Sequence, residues 1–538
     1  MDSTLPRSDE ASAAAQLGRL TARLQLSRLL FWAILVLGIA ARLWAIRQLP
    51  PGLNQDEASI GVDAYSLFKY GEDRFGNSYP AHLVTWGEGT SSLYFYLLIP
   101  VIAAVGHLSP MVIRFPMILA GLLALPGAYL LGRLVWDRAY GRWCMFLLAI
   151  SPWHILASRW ALEGNILPFV FLIAMVCMLK TKRDVRWFWA ACCLLGFALY
   201  SYPTSYVVVP LFLAFFLAIN HRVKVIATRH VLVGMVGLAL IATPIAVSVL
   251  VNLRGLETIQ WGPITMPSLP ARARYISMTL LGSGDVIRMA ADNVRIASTL
   301  LWTETDGLAW NSVKHYGIIY RLGLAGTLGG VIVAGRWVKR RERAYEMGLI
   351  LAWLAAAIPA AILQPTNINR FSIVWIPVIL CTALSLRWLA GRTPVLLPVS
   401  VAALLAAFMG FTFEYHGAAY RKLASRVFYE GILPALRVAR EATTGQICVG
   451  GGRAMYMYVL YSEAANGDDF DTLRPQILPF VLHQVDSLGR YTMGTRNCPG
   501  AAPIVYVLPK DETPPLPVKE YAKRHFVNYD VYVPGAGP

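Results

Sequence analysis

Apolar residues in this chain gather in long unbroken stretches, without the alternating or every-third-residue spacing of a soluble domain. About eleven stretches approach the ~20 residues needed to cross roughly 30 Å of hydrocarbon at 1.5 Å per residue. They run approximately over 29–46, 112–134, 143–157, 166–179, 187–202, 207–220, 231–251, 316–334, 345–363, 371–385 and 395–413. The pattern predicts an all-α polytopic membrane protein. After residue 413 it changes. Short apolar runs at 446–450, 504–508 and 527–533, separated by helix-like stretches at 420–441 and 454–462, predict a small C-terminal α/β domain over 414–538.

Charge then orients the spans. Cations collect in every second connector: Arg19, Arg23 and Arg28; Arg133, Arg138 and Arg142; Lys180, Lys182, Arg183 and Arg186; Arg222, Lys224 and Arg229; Arg336, Lys339, Arg340, Arg341 and Arg343; Arg387 and Arg392. Cytoplasmic loops carry this bias. The N-terminus is therefore expected inside and the C-terminal domain outside, in periplasm or extracellular space. Residues 1–28 show no cleavable signal and read as a cytoplasmic tail before a signal-anchor helix. The formal charge of +17 is thus topological, with no nucleic-acid meaning. Composition agrees: 56% hydrophobic and 15% charged residues, with a mean hydropathy of +0.51, exclude both an ordinary soluble enzyme and a disordered chain.

Three external pieces are long: 47–110, 252–315 and the tail. The first is the most informative. Asn54-Gln55-Asp56-Glu57 has the form of a capping box, opening a helix that Gly71 can close. Ile60, Ala64, Leu67 and Phe68 share one side of that helix while Asp63 and Lys69 fall elsewhere, the pattern of a helix lying on the membrane surface. The aromatic-rich stretch 93–105 reads as a second interfacial helix, because a crossing there would break the charge alternation. Five of the seven Cys (Cys144, Cys177, Cys192, Cys193, Cys381) fall in spans and read as packing residues. Cys448 and Cys498 both lie in the exported tail, and the sequence leaves open whether they form a disulfide.

Ionisable residues at the external ends of spans are costly and usually have a reason. They are Asp56, Glu57 and Glu88 in the first loop, Arg114 at the second span, His154, Arg159 and Glu163 after the third, and Arg370 at the tenth; Tyr200 and Tyr202 end the fifth. A carboxylate and several guanidinium groups on one membrane face suit glycosyl transfer from a lipid phosphate. The phosphate leaves as a stable anion, so one base for the acceptor proton and donors for the phosphate suffice, against the two carboxylates of a glycosidase. Each residue also has a plain structural reading. Glu57 completes the cap, His154 packs beside Trp153, Arg159 and Glu163 pair four apart, Arg114 and Arg370 snorkel, and Tyr200, Tyr202 and Tyr206 pack. No HxxxH or CxxC spacing occurs, and the expectation is that no metal or other cofactor is required.

The same residues carry a family resemblance. Pro51-Gly52-Leu53-Asn54-Gln55-Asp56-Glu57, Arg114-Phe115-Pro116, and Ser151-Pro152-Trp153-His154 with Ser158-Arg159 and Glu163-Gly164-Asn165 resemble membrane glycosyltransferases of the GT-C superfamily. The likeness is to bacterial relatives of protein O-mannosyltransferases and of the aminoarabinose transferase acting on lipid A. It spans about 29–206 and fades afterwards. It implies a polyprenyl-phosphate-linked monosaccharide as donor, an inverting transfer outside the bacterial inner membrane to a protein, glycan or lipid acceptor, and Asp56 as the general base. Arg370, Arg114 and Arg159 would hold the donor phosphate. Glu57 and Glu88 would assist catalysis, and His154, Glu163, Tyr200 and Tyr202 would line the substrate pocket. The chain has Gly87-Glu88-Gly89 where relatives place an Asp followed by a cation, and Asn369 where a His often precedes the Arg. Two other classes compete: a transporter or flippase of lipid-linked glycans, and a non-enzymatic membrane scaffold. The expected organisation is a tail over 1–28, a transmembrane catalytic domain over 29–413 with its catalytic loop at 47–110, and the α/β domain over 414–538.

Overall fold

In the computed structural model the described residues are 7–86, 88–270, 285–466, 469–477, 485–498, 504–515 and 521–535. Residues 1–6 of the expected tail, Gly87, and 271–284 of the second external piece lie outside them.

The apolar stretches become helices: α1 (Arg7–Leu43), α2 (Gln55–Tyr70), α3 (Leu93–Val105), α4 (Pro110–Val135), α5 (Arg138–Ile150), α6 (Pro152–Ala157), α7 (Leu167–Lys180), α8 (Arg186–Ala198), α9 (Ser205–Val223) and α10 (Thr228–Arg254). After the second external piece, which contains α11 (Val286–Thr303), come α12 (Arg321–Lys339), α13 (Ala344–Leu363), α14 (Trp375–Ala390) and α15 (Leu396–Tyr415). Among the described residues, eight helices are long and apolar enough to cross a membrane. Of the other expected spans, α5 and α8 have 13 residues each, and α12 carries Arg321, Arg336 and Lys339. Small residues let the helices close up. A Cβ on Gly330 of α12 would sit 1.9 Å from the Cys381 carbonyl oxygen of α14, so only glycine permits that approach.

The expected span at 143–157 is interrupted. Pro152 has no N–H to continue the ladder, and Ser151 turns its hydroxyl outward to donate to the Ile318 carbonyl at 2.7 Å while capping α6. The chain therefore breaks into α5 and α6.

Helix α2 begins at the complete capping box of Asn54 and Glu57 and ends at Gly71, whose left-handed backbone (φ 71°) suits glycine. It does not expose a polar face as expected of a surface helix. Asp63 is fully buried and paired with Arg74 at 2.6 Å, because the C-terminal region packs over that side.

That region comprises α16 (Ala418–Val427), α17 (Ile432–Ala442), α18 (Tyr456–Asn466) and a six-stranded mixed sheet. The expected runs appear as Ile447–Val449, Val505–Pro509 and Tyr529–Pro534, while the short strands Ser487–Leu488, Tyr491–Met493 and Tyr521–His525 complete the sheet. The first pairs in parallel with Tyr491–Met493 and Val505–Pro509. The last pairs antiparallel with Val505–Pro509 and Tyr521–His525. The expected helix at 420–441 is cut in two at Gly431, where φ is 102°. Cys448 and Cys498 form a disulfide with their Cα atoms 5.8 Å apart. Cys144, Cys177, Cys192 and Cys381 are buried and Cys193 half-buried.

The C-terminal region also braces the first external loop. The Phe428 carbonyl accepts from the Leu53 N–H at 2.7 Å, the Tyr458 hydroxyl donates to the Leu53 carbonyl at 3.0 Å, and the Asn54 amide donates to the Val427 carbonyl at 3.1 Å. Gly52 (φ +69°) lies so close that a Cβ there would be 2.2 Å from the Phe428 oxygen.

Candidate functional site

Asp56 is the second residue of α2, with its backbone N–H held by the Asn54 side chain at 3.0 Å. A carboxylate there is favoured by the helix dipole and faces outward from the first turn. The Trp86 indole N–H donates to its Oδ1 at 3.2 Å. Asp56 lines a cavity of about 200 Å³. Glu163 and Tyr202 line it too, and so does Arg370 from the opposite side of the sequence. Its walls include Trp86, Trp160 and Trp310, which the sequence reading did not single out.

Arg370 is placed by the loop after α13. Its N–H donates to Asn367 Oδ1 at 2.7 Å, and a guanidinium nitrogen lies 3.5 Å from the Pro365 carbonyl. Asp306 stiffens this loop, accepting from the Ile368 N–H at 2.9 Å and from the Asn311 amide at 2.6 Å. Asn311 in turn donates to Asn369 at 2.9 Å. Asn367 and Asn369 also line the cavity.

The other expected site residues are committed elsewhere. Both oxygens of Glu57 accept from Arg114, at 2.7 Å each. They also take the Ala161 N–H at 2.9 Å and the Asn54 N–H at 3.0 Å. Arg114 also donates to the Pro50 and Gly52 carbonyls, both at 2.9 Å. Arg159 does not pair with Glu163. It donates to the carbonyls of Ala41, Arg42, Trp44 and Leu49 around the end of α1. His154 is buried against Arg42 at 2.6 Å and beside Trp153, and Tyr200 donates to the Ile241 carbonyl at 2.7 Å. None of these five residues lines the cavity. Glu88 is half-buried in the turn whose Thr85, Trp86 and Gly89 form part of the wall, and its own side chain is not among the lining groups. Among the described residues no three of His, Cys, Asp and Glu come together as metal ligands would.

Behind the wall lies a buried polar cluster. Ser59 lines the cavity and accepts from Arg74, the partner of Asp63. Nearby, Asp73 accepts from the N–H groups of Phe75 and Asn77 and from the Asn77 side chain, each at 2.9 Å. Burial, and secondarily the Asp63 carboxylate, push the Asp73 carboxyl up to about 7 from its ordinary 3.8. Between these values the native state holds a proton that the unfolded chain has lost. Stability is therefore expected to fall as pH rises from about 4 to about 7. Thermal unfolding of the detergent-solubilised protein across that range should show the slope, and Asp73→Asn should flatten it.

Residues 91–247 match the family model described as dolichyl-phosphate-mannose-protein mannosyltransferase. No curated protein matches the chain. Among solved structures, ArnT from Cupriavidus metallidurans in its apo state is 15% identical with a TM-score of 0.53, covering 95% of this chain and 98% of that one. The same protein bound to undecaprenyl phosphate gives 0.50 at 15% identity, over 95% and 98% of the two chains. The oligosaccharyltransferase AglB from Archaeoglobus fulgidus, in complex with an inhibitory peptide and a dolichol-phosphate, is 14% identical with a TM-score of 0.47, over 90% of this chain and 69% of that one. The family match and the fold shared with ArnT bear out the resemblance to GT-C membrane glycosyltransferases. The chain is an integral membrane protein.

Proposed function

We propose that this chain moves a monosaccharide from a polyprenyl-phosphate donor to an acceptor hydroxyl on the outer side of the membrane. The observation that carries this reading is the shared cavity: a carboxylate and a guanidinium group, distant in sequence, face one space walled by aromatic rings. The undecaprenyl phosphate bound by ArnT supports a lipid-phosphate donor. The charge alternation supports eleven crossings with the N-terminus inside, α3 in the interface, and a tail, transmembrane catalytic domain and external α/β domain divided near residues 28 and 413.

Asp56 takes the proton of the acceptor hydroxyl as the acceptor oxygen bonds to the anomeric carbon. The bond from that carbon to the phosphate oxygen breaks, and the polyprenyl phosphate leaves with the electron pair. A single displacement inverts the anomeric centre. Arg370 holds the phosphate and stabilises the charge that grows on it, as a planar fork of donors does best. Glu163 and Tyr202 orient sugar or acceptor. Trp86 fixes the rotamer of the base. The committed bonds of Glu57, Arg114 and Arg159 support a positioning role for them: they set the loop that leads into α2, where Asp56 stands.

The test is release of polyprenyl phosphate from a lipid-linked sugar by the purified protein. Release that rises with added acceptor is expected, and no transfer with any lipid-linked monosaccharide or acceptor hydroxyl would overturn the reading. Arg370→Gln should raise the donor KM by roughly 10–100-fold, the worth of hydrogen bonds to a charged group, while the acceptor KM stays close to the parent value. Steady-state kinetics with each substrate varied separately checks this.

A further inference from the structure

At the opposite end of the helices from the Asp56 cavity lies a groove of about 1060 Å³ between α9, the end of α12 and the first half of α13. Its walls are apolar, with Phe215, Ile219 and Leu351 among them. From Ala344 to Ala355, both of which line it, the helix advances about 16 Å. Its mouth is cationic. His221 and Arg222 come from the end of α9, Lys339 from the last turn of α12, and Arg341 from the connector after it. No Asp or Glu lines it. Glu346, in the first turn of α13, is engaged by Lys182, and Glu342 is exposed in the connector. Arg222, Lys339 and Arg341 make no side-chain hydrogen bond or ion pair within the described residues.

Three cations at the ends of two helices far apart in sequence repel one another unless an anion lies among them. The groove below them is apolar and opens between helices that the charge alternation places in the cytoplasmic leaflet. We infer that this groove binds an anionic phospholipid, its headgroup phosphate among Arg222, Lys339 and Arg341 and an acyl chain along Ile219 and Leu351. Basic pockets between spans on the cytoplasmic side select anionic headgroups in this way, and each cation near the surface contributes about fivefold in affinity. The site is separate from the Asp56 cavity, so it stands whether or not sugar transfer is confirmed.

The full chain, purified in detergent, can be offered dioleoyl phosphatidylglycerol or dioleoyl phosphatidylcholine, and the lipid it retains read by native mass spectrometry. At least about tenfold preference for the anionic lipid is expected. It should vanish in Arg222→Gln/Lys339→Gln/Arg341→Gln and survive in Arg222→Lys/Arg341→Lys. It should also survive in Arg138→Gln/Arg183→Gln/Arg392→Gln, which removes the same charge elsewhere on that face. Ala355→Trp, which fills the groove and leaves the charges, should reduce retention. Equal retention of the two lipids by the parent, equal loss in the control triple variant, or displacement of the lipid by millimolar inorganic phosphate would each overturn the inference.

Discussion

Asp56→Asn is expected to slow sugar transfer by about 10²–10⁴-fold, the usual worth of a positioned general base, while the protein keeps its fold. The amide has the shape of the carboxylate, and its oxygen still accepts from the Trp86 indole, which lies 3.2 Å from Oδ1. The cap of α2 depends on Asn54 and Glu57, so it survives the change. The favourable meeting of a negative charge with the helix N-terminus is lost, about 0.3–1 kcal/mol. Initial rates of lipid-phosphate release, with a thermal unfolding curve beside them, separate the two effects. A folded variant that transfers sugar at the parent rate removes Asp56 as the base. Glu163→Gln, at the other carboxylate lining the cavity, should cost less, because that residue orients substrate and takes no proton in the proposed step.

The opposite profile is expected at Arg114. Arg114→Met should destabilise the fold by about 3–5 kcal/mol, the usual cost of stripping one partner from a buried ion pair. Glu57 is wholly buried, and both of its oxygens accept from this guanidinium. Without it a desolvated carboxylate stays behind, and the Pro50 and Gly52 carbonyls lose their donors as well. The loop leading into α2 would then lose its anchor. A marked drop in unfolding temperature is the readout. Adding Glu57→Gln to the variant should recover part of the loss, since a neutral amide is cheaper to bury than an unpaired charge. A melting curve that matches the parent's would show that the pair contributes little.

The contrast between neighbours shows what the sequence could and could not reveal. Capping is local chemistry, so Asn54 and Glu57 at their spacing give away the start of α2, and the same spacing leaves Asp56 turned outward. Nothing local gives Arg114 to Glu57; that contact depends on how α4 crosses α2. Arg159 and Glu163 stand four apart and read as a helical pair, yet the backbone between them leaves the helix at Ser158, so the guanidinium swings to the carbonyls at the end of α1. Asp63 reads as solvent-facing because its cover comes from the far end of the chain. Trp86, Trp160 and Trp310 had no distinguishing signal, since an aromatic residue beside a membrane is ordinary. The strand Tyr521–His525 is mostly exposed and polar, so it lacks the alternation that marks a half-buried strand. Long-range burial and tertiary hydrogen bonding explain each case.

The bonds from Val427, Phe428 and Tyr458 to the loop at 52–54 have a consequence for biosynthesis. Ribosomes deliver the N-terminal helices first, and those can enter the bilayer while the remainder is still being translated. In the proposed orientation, the segment bearing Asp56 stays without its brace until the region from Ala418 onward has been exported and folded. On the proposed function, sugar transfer is therefore expected to begin only once that region has closed over the loop at 52–54.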